Sequence, residues 1–175
     1  MANSLRIMGI DVGFAINGWS IIDKSSEYKN GMKLVDFGVI TTEVDNLIEN
    51  RLMKVYDDLD NLIKRYTPDI MAVENLFFFK NQKTVINVAQ VRGIILLAGV
   101  KNGVKLFGYT PLQVKTSVTG YGKADKKQVQ KMVKMIFGLK EVPKPDDAAD
   151  AVAVGLCHIN SMSLLNSKQS SLRKL

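Results

Sequence analysis

Leu5-Arg6-Ile7-Met8-Gly9-Ile10-Asp11-Val12-Gly13 is the stretch that decides the fold. Its apolar residues run almost unbroken from Leu5 to Ile10, the pattern of a buried strand spanning residues 5 to 11. It closes on a carboxylate, with glycine two residues on. Downstream, Asn17 to Asp23 and Met32 to Thr41 read as two more strands. Asn17-Gly18 and Lys29-Asn30-Gly31 mark the turn-rich joins, so the three strands form an antiparallel meander.

Beyond the meander the period changes. Leu47, Ile48, Leu52, Val55, Tyr56, Leu59, Leu62, Ile63 and Tyr66 recur at helical spacing, giving an amphipathic helix from about 45 to 66. Thr67-Pro68 stops it, because proline disfavours the helical region for the residue before it. Residues 69 to 74 form a strand that again closes on a carboxylate, Glu74. A helix from Thr84 to Val100 follows, apolar over much of its circumference, so it packs on two sides, within the domain or across a subunit interface. Lys105 to Tyr109 is a strand, and Thr110-Pro111 is an N-cap with a first-turn proline, opening a short helix to about Val118. After the loop Thr119-Gly120-Tyr121-Gly122-Lys123, a helix runs from about Asp125 to Leu139. The last helix starts near Pro145 and ends near Met162. Residues 163–175 read as a flexible basic tail behind one domain over residues 1–162. A meander followed by alternating strands and helices is an α/β domain with a mixed sheet.

Composition narrows the function. A chain of 175 residues is most simply one domain with a sizeable core. No apolar run is long enough for a membrane span, and no secretory segment precedes the first strand. One cysteine, Cys157, cannot form an internal disulfide and reads as a small core residue in a reducing cytoplasm. The lone His158 beside it reads as structural, and a zinc site is not expected. The net charge of +7 suits a polyanionic partner. Lys115, Lys123, Lys126, Lys127, Lys131 and Lys134 cluster before the last helix, and Lys80, Lys83 and Arg92 make a looser group. Any one of these lysines taken singly reads as a solvated helix face.

Four carboxylates carry the chemistry. Asp11 and Glu74 end their strands, and Asp147 and Asp150 sit one turn apart in Pro145-Asp146-Asp147-Ala148-Ala149-Asp150-Ala151. In mixed sheets the carboxyl ends of parallel strands form the usual crevice. If the strands of Asp11 and Glu74 are parallel neighbours, both side chains point at one spot. The last helix can lay Asp147 and Asp150 beside them, since i and i+3 share a face. Each alone has a plainer reading: Asp11 as a turn former, Glu74 as an exposed strand end, Asp147 as a cap, Asp150 as a lysine partner. Together in a basic chain they point to magnesium holding a phosphodiester, with the ion bound through oxygen. Phe77-Phe78-Phe79 after the second carboxylate reads as core for at least two of its rings.

Gly-Ile-Asp-Val-Gly, Ala72-Val73-Glu74-Asn75-Leu76-Phe77, Gln113-Val114-Lys115 with Gly120-Tyr121-Gly122-Lys123-Ala124-Asp125-Lys126, and Asp147-Ala148-Ala149-Asp150-Ala151 occur in this order. In order and spacing they resemble the RuvC family of bacterial Holliday-junction resolvases, over about residues 5 to 160. The resemblance implies a ribonuclease-H-like fold, with a mixed five-stranded sheet flanked by helices. It also implies a homodimer that makes paired symmetric nicks in four-way junction DNA using two Mg2+ ions, for which Mn2+ substitutes. Asp11, Glu74, Asp147 and Asp150 correspond to its metal-binding carboxylates, Lys115 and Lys126 to its DNA-contacting lysines, and Phe77 to its base-stacking phenylalanine. Lys123 joins the DNA-contacting set, and the branch-migration proteins RuvA and RuvB are the implied partners. Val12 stands where the family commonly has proline, and Asn75 where glutamine or glutamate is expected. Two rival readings are an actin-like ATPase or sugar kinase, for which 175 residues leave no second lobe, and a non-catalytic junction-binding module, which would be expected to have lost a carboxylate.

Overall fold

The computed structural model describes residues 4–43, 45–75 and 82–172, with side chains described up to Met162 and, in the last span, from Val85. The elements in chain order are β1 (Leu5–Asp11), β2 (Ile16–Lys24), β3 (Met32–Thr41), α1 (Ile48–Tyr66), β4 (Ile70–Glu74), α2 (Gln82–Lys101), β5 (Lys105–Tyr109), α3 (Pro111–Thr119), α4 (Lys126–Phe137) and α5 (Asp146–Leu172). They build one five-stranded sheet in the order β3-β2-β1-β4-β5. The first three strands are antiparallel, while β4 lies parallel to both β1 and β5. The expected meander and mixed sheet are both present.

Alternation along the strands sorts the core into two layers. Met8, Ile10, Ile21, Met71 and Val73 face α1 and α2, packing against Val55, Leu59, Ile63, Val91 and Ile95. Ile7, Ile22, Ile70 and Ala72 face the other way, onto Val114, Val129, Val133 and the α5 residues Val152 to Ile159. Because the side-chain period in a strand is two, the strand-ending Asp11 falls on the face of Ile7, and Glu74 on that of Ile70 and Ala72. That face is the one α5 covers.

Two glycines let α5 come close enough to matter. A Cβ on Gly9 would collide with the Ala151 carbonyl and sit 2.7 Å from both the Gly155 amide nitrogen and Ser20 Oγ. A Cβ on Gly18 would strike the Asp147 carbonyl, and Gly18 is the register partner of Asp11. The first turns of α5 therefore lie directly on β1 and β2, tied by the Ser20 hydroxyl donating to the Ala151 carbonyl at 3.0 Å. Local chemistry sets the other boundaries. Thr110 with Gln113, and Asp125 with Gln128, form reciprocal capping boxes that start α3 and α4. Thr67 closes α1 in the left-handed region, its N–H donating to the Ile63 carbonyl.

Asn17-Gly18, expected at a turn, lies inside β2 with Gly18 paired to Asp11 and Val39, and two helix boundaries also differ from expectation. α1 begins at Ile48 rather than near 45, because the Asn46 side chain accepts from the Leu47 amide while Leu47 itself is extended, with φ −58° and ψ 144°. α5 continues past the expected end near Met162 to Leu172, since Ser163 to Leu172 contains neither proline nor glycine to break it.

The glycine contacts give a direct test of this packing. Gly9→Ala is expected to destabilise the fold by about 2 kcal/mol through overpacking against the α5 backbone. Thermal unfolding should show it as a fall of roughly 4–8 °C. An unchanged midpoint would mean that α5 has room to spare.

Candidate active site

Asp11 and Glu74 follow directly on Ile10 and Val73, which are register partners in the parallel β1–β4 pair. The two carboxylates are thus neighbours at the carboxyl edge of the sheet, on one face. Asp150, in the second turn of α5, joins them. These three acids, with Lys115, Lys126, Pro111, Val114, Val129 and Ala153, line a cleft of about 180 Å³. Lys115 comes from α3 and Lys126 from the first turn of α4, so every helix on this layer contributes. Lys126 Nζ lies 2.8 Å from Asp150 Oδ2 and 3.6 Å from Asp146 Oδ2.

The charges in the cleft do not balance. Burial is the main force pushing Asp11 up, to about 8, helped by the charges of Glu74, Asp150 and Asp147 and by a hydrogen bond to Glu74. Glu74 is also raised, first by burial and then by Asp150, although accepting from Asp11 and facing Lys115 pull the other way. The contact between the two favours a proton on Asp11 over one on Glu74. Asp150 is raised by burial against the pull of Lys126. Three carboxyls raised together at one spot mark a shortage of positive charge.

A divalent ion would supply it. The donors are all carboxylate oxygens, the set preferred by a hard cation such as magnesium or manganese. Among the described residues no three acidic, histidine or cysteine groups close into a ready-made metal cage. Asp11 is turned to Glu74 and Asp150 to Lys126, and both pairings stand in for missing positive charge.

Of the residues singled out from sequence, the cleft brings together Asp11, Glu74, Asp150, Lys115 and Lys126. Asp147 stands beside it, half-buried in the first turn of α5, and acts on Asp11 and Asp150 through its charge. Lys123 lies in the exposed loop before α4 and is not among the cleft residues. Phe77 and Lys80 lie outside the described residues. His158 is buried, its Nδ1 2.7 Å from the Tyr109 hydroxyl and its ring against Phe107, which fits the structural reading. Arg92, grouped above with the outer basic residues, instead donates to the Asn75 side-chain oxygen at 2.8 Å and helps hold the chain just after Glu74.

Arg51 is the residue that sequence reasoning missed. It is 3% exposed, unusual for an arginine, and among the described residues it has no carboxylate in ion-pair contact. Its guanidinium donates to the Phe14 carbonyl at 3.0 Å and to Thr42 Oγ1 at 3.1 Å, and lies 3.6 Å over the Phe14 ring. Asn17 adds a second tether, its side-chain oxygen accepting from the Gly13 amide at 3.1 Å. Together they fix the turn that follows Asp11. Arg51 stands one turn before Val55, at the head of the stripe that Leu59 and Ile63 continue, and that spacing is the signal that could have found it.

Known proteins share this fold. The family model described as crossover junction endodeoxyribonuclease RuvC matches residues 7–158. A protein of that name from Fusobacterium nucleatum is 56% identical over 158 residues, covering 90% of this chain and 82% of its own. The solved structure of Thermus thermophilus RuvC superposes with a TM-score of 0.83 at 29% identity, over 91% of this chain and 96% of that one. The same protein in complex with a Holliday junction substrate gives 0.84, with the same identity and coverage. The architecture is the ribonuclease-H-like one that the resemblance implied.

The strain in the acidic cluster has a measurable sign. An Asp11 pKa above its unfolded value means the folded protein holds a proton that the unfolded chain releases above about pH 4. The associated stability is full below that pH and is lost as pH rises through about 8. In chelator-containing buffer the unfolding free energy is expected to fall from pH 5 to pH 8, on the order of 1 kcal/mol per pH unit. Asp11→Asn should flatten that slope. Equal slopes for both proteins would show that Asp11 titrates normally.

Proposed function

This chain belongs to the RuvC family of crossover junction endodeoxyribonucleases, and on that premise we propose that it resolves four-way (Holliday) DNA junctions by paired symmetric nicks. The observation that carries the reading is the meeting of Asp11, Glu74 and Asp150 with Lys115 and Lys126 in one cleft. Acids alone would repel DNA and lysines alone would only attract it. A cleft holding both is suited to a phosphodiester brought in together with divalent ions.

Asp11, Glu74, Asp147 and Asp150 are the residues we assign to hold two Mg2+ ions, with Mn2+ as a substitute. When bound, such a pair activates an in-line water and stabilises the departing 3′ oxygen. The protein's own groups do the rest. Lys126, now on Asp150, is placed to exchange that carboxylate for a phosphate oxygen, and Lys115 approaches the same space from α3. Both then position the backbone and offset charge on the scissile group. Lys123 is assigned to backbone contact outside the cleft. Phe77 is assigned, from the resemblance alone, to stack on an unpaired base, worth roughly 1–3 kcal/mol.

Symmetric nicks need two active sites, and α2 offers the surface to pair them. It buries Val88, Val91, Ile95 and Ala98 inward while leaving Ile86, Leu97 and Val100 exposed. We assign the homodimer contact to this helix, RuvA and RuvB as partners, and the cytoplasm as the location. No helix among the described residues is long and apolar enough to cross a membrane. The non-catalytic alternative is not favoured, because all four carboxylates are kept. Nor is an actin-like ATPase, since the matching family model covers residues 7–158.

Two measurements check this assignment. Asp11→Asn, Glu74→Gln and Asp150→Asn should each abolish magnesium-dependent nicking of a synthetic four-way junction yet leave junction binding largely intact, while Lys115→Ala and Lys126→Ala should slow single-turnover nicking at saturating enzyme. Nicking within tenfold of wild type would remove a carboxylate from the ligand set, and wild-type rates in both lysine variants would reduce those lysines to electrostatic attraction. Sedimentation at micromolar protein should show a dimer that Leu97→Glu dissociates; a 19.4 kDa species alone would remove the α2 interface.

A further inference from the structure

The outer face of α4 differs from that of α1 in how its lysines are matched. On α1, lysines are matched to acids one turn away: Lys54 to Asp58 at 2.7 Å and Lys64 to Asp60 at 2.6 Å. α4, from Lys126 to Phe137, contains no acidic residue at all. Its spacing places Lys127, Lys131 and Lys134 at i, i+4 and i+7, along one stripe. Among the described residues none of the three has an ion-pair partner. Like charges at this spacing repel one another, and Lys126 and Lys127 in the first turn also oppose the positive end of the helix dipole. At Lys127 and Lys131 the charge works against the helix, so a folding role does not account for those two lysines.

A second feature lies along the same stripe. Tyr121, Ala124, Gln128, Lys131, Met132 and Met135 line a surface hollow of about 360 Å³, with Thr119 at its edge. Tyr121 is 58% exposed and Met135 65%, large apolar surface in a place where solubility would favour polar residues. The Tyr121 backbone is held in place: its amide donates to Thr119 Oγ1 at 3.1 Å, and its carbonyl accepts from that hydroxyl at 3.0 Å and from the Ala124 amide at 3.1 Å. The ring is therefore presented on a fixed loop. Lys131 belongs to both the hollow and the stripe, which joins them into one surface.

We propose that the outer face of α4 is a second DNA track, in which Lys127, Lys131 and Lys134 take backbone phosphates and the adjoining hollow takes a sugar or base against Tyr121. The inference rests on the junction-nuclease reading and extends it. The three lysines span about 10 Å of helix, room for more than one phosphate spacing. The track begins where the catalytic cleft ends, since Lys126 in the preceding position lines that cleft. A nucleic-acid strand leaving the cleft would continue along α4. Apolar contact beside phosphate contact is the usual make-up of a sequence-tolerant strand groove.

Junction binding as a function of salt tests this, using a synthetic four-way junction in chelator-containing buffer. Lys127→Gln/Lys131→Gln is compared with wild type and with Lys54→Gln/Lys64→Gln, which removes the same charge from the opposite layer. Lys134 is left in place because it also stabilises the helix C-terminus. The α4 double variant should lower the slope of log K against log salt by about 2 and the control should not, because each neutralised phosphate contributes about 0.9 to the slope. Tyr121→Ser should weaken binding roughly tenfold without changing the slope. A wild-type slope in the α4 variant, or an equal fall in the control, overturns the track, and unchanged affinity in Tyr121→Ser overturns the part given to the hollow. Magnesium-dependent nicking by the wild-type protein, measured alongside, keeps the two readings apart: its absence would sink the nuclease assignment rather than the track.

Discussion

Everything at the acidic end of this molecule depends on how closely α5 lies on the first two strands. Gly9 and Gly18 remove the side chains that would hold the helix away, and the backbone of Ala151 and Asp147 occupies the space they leave. Packing of this kind is sensitive because interiors are dense and have little slack. With a bulkier residue at either position the helix would ride outward, and Asp150 would no longer share a cleft with Asp11 and Glu74. The glycine beside the first carboxylate is thus as much part of the site as the carboxylate.

That closeness has an electrostatic cost, and the cost is informative. Burial and mutual repulsion raise Asp11, Glu74 and Asp150 together, and the protein answers with only partial compensation from Lys115 and Lys126. A fold selected for stability alone would replace such a cluster with apolar residues. Retaining it makes sense where a dication and a phosphate complete the charge balance during function. Arg51 and Asn17 fix the turn behind Asp11, so the site is held from both sides: by α5 packed against the sheet and by a buried cation beneath the loop.

Much of this was legible in the sequence. The period-two and period-3.6 patterns gave all five strands and five helices nearly in place, and the position of Asp11 and Glu74 at strand ends implied their meeting once β1 and β4 proved parallel neighbours. What stayed hidden is what pattern cannot encode. Periodicity gives the face a residue occupies and not how near another backbone comes, so the role of Gly9 and Gly18 was invisible. Asp147 shares a helical face with Asp150, yet it sits a turn earlier against Gly18 and reaches the cleft only through its charge. Arg92 looked like a solvent-facing base and Arg51 drew no notice, yet each is spent on a carbonyl or amide oxygen that holds a loop. The length of α5 was underestimated because serine-rich sequence reads as loose chain, although nothing in it breaks a helix.

The carboxylates brought together by the docking of α5 are proposed as a divalent-metal site. Anomalous diffraction from crystals soaked in manganese chloride tests it most directly. The expected result is manganese density bounded by Asp11, Glu74 and the Asp147–Asp150 turn, with Asp150 released from Lys126. Manganese bound elsewhere, with Asp11 still on Glu74 and Asp150 still on Lys126, would contradict the account.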